Sequence, residues 1–269
     1  MRSPGARLTG QIKSPGMLAR VRQLQARALP RGYPDAVRQF ALFAAAYYTY
    51  RVVRGQVDGR AAAAFEHARS LIDLERGLHV FVEPSVQAWA SGSQVLLDAA
   101  SWVYINAQTT VTVSALAWLY LFRNSSFYFV RNMMVVAMGI ALVGYTIYPT
   151  APPRFLPEWG FFDAVADFTG VRPDSVAIDT LFNPYAAVPS MHVAFALMIG
   201  LPLARLVRWR ALRVFWGAYP VLVTFVIVVT GNHFLIDAVL GALTAGASGY
   251  SAWWMARARP AAWAFAPAT

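Results

Sequence analysis

Long apolar stretches alternate with shorter polar ones along this chain. A helix needs about 20 mostly apolar residues to cross the hydrocarbon layer of a membrane. Stretches of this kind lie at 36–54, 99–122, 130–149, 188–206, 212–230 and 234–255. The pattern therefore predicts an all-α fold, namely a polytopic membrane protein with six transmembrane helices.

The segment between the first two stretches has a different pattern. Residues 58–98 mix acidic, basic and apolar side chains at helical spacing, with too much charge to cross a membrane. Such a pattern predicts interfacial amphipathic helices. Glu83-Pro84 is expected to begin the second of them, since proline is favoured in the first turn of a helix.

The composition agrees with a membrane protein. Charged residues make up 13% of the 269 positions and hydrophobic residues 58%, whereas a soluble domain has about 25% charged residues. Lipid must therefore cover much of the surface. The chain contains no cysteine, which excludes disulfide bonds and a cysteine nucleophile.

The net charge of +10 is concentrated at the amino terminus and in a few short loops. In the tail at 1–35, seven cations lie within residues 1–31 and no aromatic residue is interleaved with them, so no nucleic-acid partner is expected. We expect a basic, disordered cytoplasmic tail that contacts anionic lipid headgroups. The loop at 150–187 instead contains more acidic than basic residues, and the positive-inside rule puts it outside the cell.

These charges predict the organisation of the whole chain. The six-span catalytic domain would occupy residues 36–255, followed by a short cytoplasmic tail at 256–269. Both termini would be cytoplasmic in a multi-pass cell-membrane protein, and the active site would face the extracytoplasmic side.

Three polar stretches meet at that outer side, namely 148–154, 183–192 and 230–237. Ionisable residues at the ends of apolar helices are costly, so they mark a candidate site. His233 and Asp237 are four residues apart and share a helix face. A carboxylate there can fix the tautomer of the imidazole and leave its other nitrogen as a nucleophile.

The remaining residues suit phosphate chemistry. His192 could protonate a leaving alkoxide. Arg154 offers a planar fork for phosphate oxygens. Ser190 and the backbone N–H groups that follow it add neutral donors. The candidate catalytic residues are therefore His233, His192 and Asp237.

The strings that contain these residues resemble a known family. Ala-Pro-Pro-Arg154, Pro-Ser-Met-His192 and His233-xxx-Asp237 are similar, in order and spacing, to the three signature motifs of the type 2 phosphatidic acid phosphatase superfamily. The local residue strings are most similar to those of its inositol phosphorylceramide synthase branch. This similarity extends to Gly-Asn-His233, and we therefore expect Asn232 to be a phosphate-binding residue.

The resemblance covers about residues 36–255 and has mechanistic consequences. It implies a reaction that needs neither metal nor other cofactor, and a phosphohistidine-type intermediate on His233. It also implies that His192 is the acid and that Asp237 orients the nucleophile.

Two cations of the superfamily's phosphatase pattern are replaced here by Ile147 and Ile227. A phosphomonoester carries about −1.5 to −2 charges at neutral pH, whereas a phosphodiester carries one. We therefore expect a lipid phosphotransferase that moves a phospho-headgroup from a membrane phospholipid to a lipid or polyol alcohol. A lipid phosphate phosphatase, with water as the acceptor, is the alternative, because Arg172 could supply the missing charge by folding back.

Two further classes remain open at this point. A transporter or flippase could use intramembrane charges, although no inverted repeat of interrupted helices is visible. Two histidines and a carboxylate are also a familiar ligand set for zinc or iron, which would make the chain a metal-dependent membrane enzyme. The sequence predicts neither the headgroup nor the oligomeric state.

Overall fold

The computed structural model describes residues 29–55, 60–171 and 185–260. Within these ranges the protein is all-α, as predicted, with one isolated bridge between Thr150 and Ala186. The helices, numbered α1 to α9, are Gly32–Gly55, Ala61–Gly77, Glu83–Ala90, Gln94–Phe122, Asn124–Ile147, Ala164–Thr169, Met191–Leu206, Arg210–Val229 and Leu235–Ala258.

A helix lies at each of the six stretches that were expected to span a membrane, namely α1, α4, α5, α7, α8 and α9. Of the helices in the described ranges, α5 and α8 are long and apolar enough to cross a membrane by length and composition, and α7 is apolar but shorter. The helical segments are thus confirmed, while the number of spans stays a prediction.

Helix α7 lies at the centre of the bundle, in contact with α4, α5, α8 and α9. Two glycines allow its neighbours to approach closely. A Cβ atom on Gly241 of α9 would lie 2.3 Å from the carbonyl oxygen of Ser190, and one on Gly200 of α7 would lie 2.6 Å from that of Trp216. Gly241 thus brings the beginning of α7 against the first turns of α9, and Gly200 brings α7 against α8.

The amphipathic segment folds as helices α2 and α3, and α3 begins at Glu83 as predicted. Helix α2 buries a stripe that runs through Ala64, Ala68, Ile72 and Glu75. This stripe packs against the loop after α5 and the residues before α9. The pattern of the segment did not show that Glu75 and Glu83 are fully buried, nor that α2 and α3 form one wall of the candidate site.

Candidate active site

Backbone hydrogen bonds join the three polar stretches at one end of the bundle. The N–H of Arg154, after α5, donates to the carbonyl of Gly231 at 2.8 Å. The N–H of Ser190, before α7, donates to the carbonyl of Asp237 at 3.0 Å. The expected convergence of these stretches is therefore present in the structure.

A tight turn between α8 and α9 presents His233. Gly231 adopts a φ of +66°, which glycine tolerates without strain. A Cβ atom there would lie 2.7 Å from Nε2 of Gln87. The Gln87 amide is fully buried and donates to the carbonyls of Phe162 and Val229 at 2.9 and 3.2 Å. Gln87 therefore ties the turn to the loop that precedes α6.

His233 and Asp237 pair as their spacing predicts. Nδ1 of His233 lies 3.2 Å from Oδ2 of Asp237, and both side chains are buried. The same carboxylate oxygen accepts the N–H of Phe234 at 3.0 Å, which places Asp237 in the first turn of α9. A carboxylate fixed in this way holds the proton on Nδ1 and leaves the lone pair on Nε2.

The second histidine faces that lone pair. Nδ1 of His192 lies 3.3 Å from Nε2 of His233, and the two rings meet edge to face with centroids 5.4 Å apart. Two imidazole nitrogens at this distance share one proton, so His192 is the donor when the lone pair is on His233. Carboxylate, imidazole and imidazole thus form a continuous chain.

The ring of His192 is supported by an aromatic side chain that the sequence did not single out. Tyr104 of α4 stacks on it with centroids 4.5 Å apart and an angle of 25° between the planes. The two residues belong to different helices and are far apart in the chain, so no spacing rule could have paired them. The stack limits the positions that the His192 ring can take.

Arg154 is held by two side chains. Its Nη1 donates to Oδ1 of Asn232, and its Nε lies 3.2 Å from Oδ2 of Asp163. Asn232 is fixed in turn, because its amide nitrogen donates to Oγ1 of Thr230 at 2.9 Å. Side chains tied in this way keep the guanidinium plane in one orientation beside the turn that carries His233.

Asp163 was predicted only as an acid of the outer loop. It instead begins α6, since its Oδ1 accepts the N–H groups of Val165 and Ala166 at 3.1 and 2.9 Å. A helix-start pattern at Asp163 was the available signal for this cap. Its ion pair with Arg154 partly neutralises the cation that was expected to bind phosphate.

Ser190 is fully buried, and its hydroxyl has no hydrogen-bond partner among the described residues. An unsatisfied buried hydroxyl costs about 1–3 kcal/mol, so it is suited to a polar atom of a ligand. Arg172, the other expected phosphate-binding residue, lies outside the described residues. Ile147 is 71% exposed and Ile227 is fully buried, and neither brings charge to the site.

The geometry argues against a single metal ion held by the catalytic residues. Asp237 contacts one edge of the His233 ring, whereas His192 contacts the opposite edge. The three groups therefore do not converge on one point through these atoms, and no set of potential metal ligands is found in the described part of the chain.

Comparisons with known proteins agree with the motif assignment. A sequence model of the PAP2 superfamily matches residues 69–251, which is more than half of the chain and includes Arg154, His192 and His233. No curated protein and no solved structure matches the chain. With the histidine pair and its carboxylate inside the matched range, the chain belongs to the PAP2 superfamily, whose members carry out phosphatase or phosphotransferase chemistry.

Proposed function

We propose that this protein is a membrane-embedded lipid phosphotransferase that uses His233 as its nucleophile. The observation that supports this most directly is the chain of contacts from Asp237 to His233 to His192, with Arg154 tied to the turn beside it. This arrangement supplies a nucleophile with a fixed tautomer, a proton donor and a cation for the phosphate oxygens.

In the first step, Nε2 of His233 attacks the phosphorus atom. The N–P bond forms as the bond from phosphorus to the leaving alcohol breaks. His192 enters this step as an imidazolium, gives its Nδ1 proton to the departing oxygen and becomes a neutral imidazole. A phosphoryl group does not fit between nitrogens 3.3 Å apart, so the substrate separates the two rings when it binds. The proton on Nδ1 of His233 stays there throughout, because it is hydrogen-bonded to Asp237.

In the second step, His192 takes the proton of an acceptor alcohol. The alcohol oxygen then attacks phosphorus, the N–P bond breaks, and His233 regains its lone pair. Ser190 donates a hydrogen bond from its hydroxyl group to a phosphate oxygen in both steps and keeps its proton. Neither step needs a metal ion or another cofactor.

The charges around the site favour a phosphodiester donor. Arg154 already shares its charge with Asp163, and the isoleucines at 147 and 227 add none. A diester brings one negative charge, whereas a monoester brings about −1.5 to −2. We therefore propose transfer of a phospho-headgroup between lipids or from a lipid to a polyol, as in the inositol phosphorylceramide synthase branch.

The surface supports a six-span arrangement in a membrane. Large apolar side chains that are more than half exposed lie on separate helices of the bundle, namely Phe40, Trp102, Val143, Val221 and Leu243. An apolar surface of this extent is unusual for a soluble protein. We propose that lipid covers it, with the termini cytoplasmic and the histidines on the extracytoplasmic side.

A groove beside His192 supports a lipid substrate. It lies between α4, α7 and α8 and is lined by Tyr104, Thr112, Phe195, Val223 and Ile227 together with His192. Tyr104 and Thr112 are eight residues apart on α4, which corresponds to about 12 Å along a helix. The groove is narrow, so an acyl chain would enter it as the lining side chains move apart, while the headgroup reaches the histidines.

Product analysis tests the proposal. We expect the detergent-purified protein, given a phosphodiester lipid and an alcohol acceptor, to produce diacylglycerol and an acceptor that carries the phospho-headgroup. Release of inorganic phosphate from phosphatidic acid, without headgroup exchange, would make the protein a phosphatase, which the family also supports. Loss of activity with a chelator would point to the metal-dependent alternative, and lipid movement without turnover to a transporter.

The Arg154 fork gives a further prediction. Arg154→Lys keeps the charge but loses the paired donors, and Arg154→Gln loses both. Hydrogen bonds to charged groups contribute about 1.5–3 kcal/mol, so we expect kcat/KM to fall roughly 10- to 150-fold in Arg154→Gln and less in Arg154→Lys.

The matched control is Arg69→Gln. The Arg69 side chain is 53% exposed and lies 3.8 Å from Glu158, and such surface pairs contribute little. We expect its kinetics to match those of the wild type. If Arg154→Gln had the kcat/KM of the wild type, the Arg154 guanidinium would not bind the substrate phosphate.

A further inference from the structure

Two buried carboxyl groups reach the beginning of α9 from the amphipathic segment. Oε1 of Glu83 accepts the N–H of Leu235 at 2.8 Å, and Oε1 of Glu75 accepts the N–H of Ile236 at 2.8 Å. Both side chains are fully buried. Glu83 belongs to α3 and Glu75 to α2, so two separate helices accept hydrogen bonds from the same turn of α9.

Together with Asp237, these groups satisfy an unusual set of donors. The first N–H groups of a helix have no partner within the helix, and one N-cap side chain commonly accepts one of them. Here the residue at the cap is Phe234, which has no side-chain oxygen. Three successive N–H groups, those of Phe234, Leu235 and Ile236, each donate to a carboxyl oxygen instead.

The carboxyl groups of the two glutamates also interact with each other at this turn. The second oxygen of each has no other donor among the described residues, and two carboxyl groups can bond only when one of them is protonated. Burial, the bond to Glu83 and the charge of Glu83 raise the pKa of Glu75 to about 9, and the charge of Asp237 acts in the same direction. At neutral pH the pair of carboxyl groups therefore holds one proton.

We propose that Glu75 and Glu83 are positioning residues, which share one proton and hold the first turn of α9, and with it His233, in its reactive place. One negative charge at the beginning of a helix is favourable, whereas two buried charges in contact repel each other. The catalytic part of this inference rests on the proposed function, whereas the shared proton does not.

The variant Glu75→Gln tests the shared proton. Its amide offers the same oxygen to Ile236 and an N–H to Glu83, so it imitates the protonated acid but cannot titrate. We expect wild-type kcat at neutral pH. The activity of the wild type should fall above about pH 9, as Glu75 loses its proton, and this loss should be absent from Glu75→Gln.

The variant Glu75→Leu tests the positioning role. It removes the acceptor for Ile236 and leaves Glu83 without its partner. A displacement of catalytic groups by about 1 Å can lower the rate roughly 100-fold, so we expect kcat to fall by about that factor while KM changes less. Restoration of kcat by Glu75→Gln distinguishes a positioning role from a simple requirement for bulk.

Thermal unfolding tests the proton without any assay of activity. An unfolded Glu75 ionises near pH 4.5, and the folded one near pH 9. The folded state thus binds one more proton between these values, and its stability should decrease as pH rises through that window. The melting temperature of Glu75→Gln should lack this part of the decrease. Glu66→Gln, at an exposed position of the same helix, should retain it.

The outcomes separate the two ideas. Identical pH dependence of melting in the wild type and Glu75→Gln would overturn the shared proton, whatever the activity. Full kcat in Glu75→Leu would overturn the positioning role. If the wild type transfers no phosphoryl group but its melting differs from that of Glu75→Gln as described, the proposed function fails and the proton-sharing pair stands.

Discussion

Replacement of His233 by alanine is expected to abolish phosphoryl transfer. Removal of a catalytic nucleophile lowers kcat by roughly 10⁶-fold in a well-studied protease, and a loss of comparable size is expected here. The reason is geometric, since His233 alone combines a nitrogen held by Asp237 with a second nitrogen directed at His192. Product masses from a labelled phosphodiester lipid measure the loss.

The same variant should also lose the covalent intermediate. We expect wild-type protein, quenched during turnover, to carry an acid-labile and alkali-stable phosphoryl group, as an N–P bond requires. His233→Ala should carry none. The control is His79→Asn, because His79 is exposed outside the site with a φ of 60°, a conformation that asparagine tolerates. A phosphoryl group on His192 in the wild type would reverse the assignment.

Local patterns in the sequence were sufficient to predict several features of the site. Hydrophobic stretches indicated every long helix of the bundle, because each apolar stretch is continuous along the chain. The four-residue spacing of His233 and Asp237 predicted their contact, because it depends only on helix geometry. The contact with His192 depends on topology as well as spacing, since it requires α7 and α9 to begin at the same end of the bundle.

Contacts between distant segments account for what the sequence did not reveal. Tyr104 supports His192 from α4, and Asp163 binds Arg154 from the start of α6. Neither pair has a spacing rule, because each depends on how separate helices pack. The phosphate-binding roles of Arg154, Ser190 and Asn232 remain predictions.

Glu75 shows how a pattern can be present and still be misread. It continues the stripe of Ala64, Ala68 and Ile72 at helical spacing, so its position on the buried face was available from the sequence. Its charge suggested an interfacial location instead. A carboxyl group on an apolar stripe is tolerated where its pKa is raised or where it can bond to backbone N–H groups. Burial raises the pKa of Glu75, and its Oε1 accepts the N–H of Ile236.

Loss of the His192 imidazole is expected to depend on the leaving group. General acid catalysis typically contributes about 10²- to 10⁴-fold, so His192→Ala should lower kcat by that factor with a lipid donor, whose alkoxide needs a proton. A p-nitrophenyl phosphodiester has a leaving group that needs none, and its first step should be nearly unaffected. His233→Ala, in contrast, should lose both reactions.

The second step separates an acid–base role from mere packing. Without His192, no base removes the proton from the acceptor alcohol, so His192→Ala should release one burst of p-nitrophenol and then accumulate the phosphoryl-enzyme. The protein as a whole remains folded in that case, because formation of the intermediate needs His233, Asp237 and the anchored turn between α8 and α9. An equal loss with both donors and no burst would mean that His192 only supports the ring of His233. The contact of 3.3 Å between the two imidazoles would then be structural.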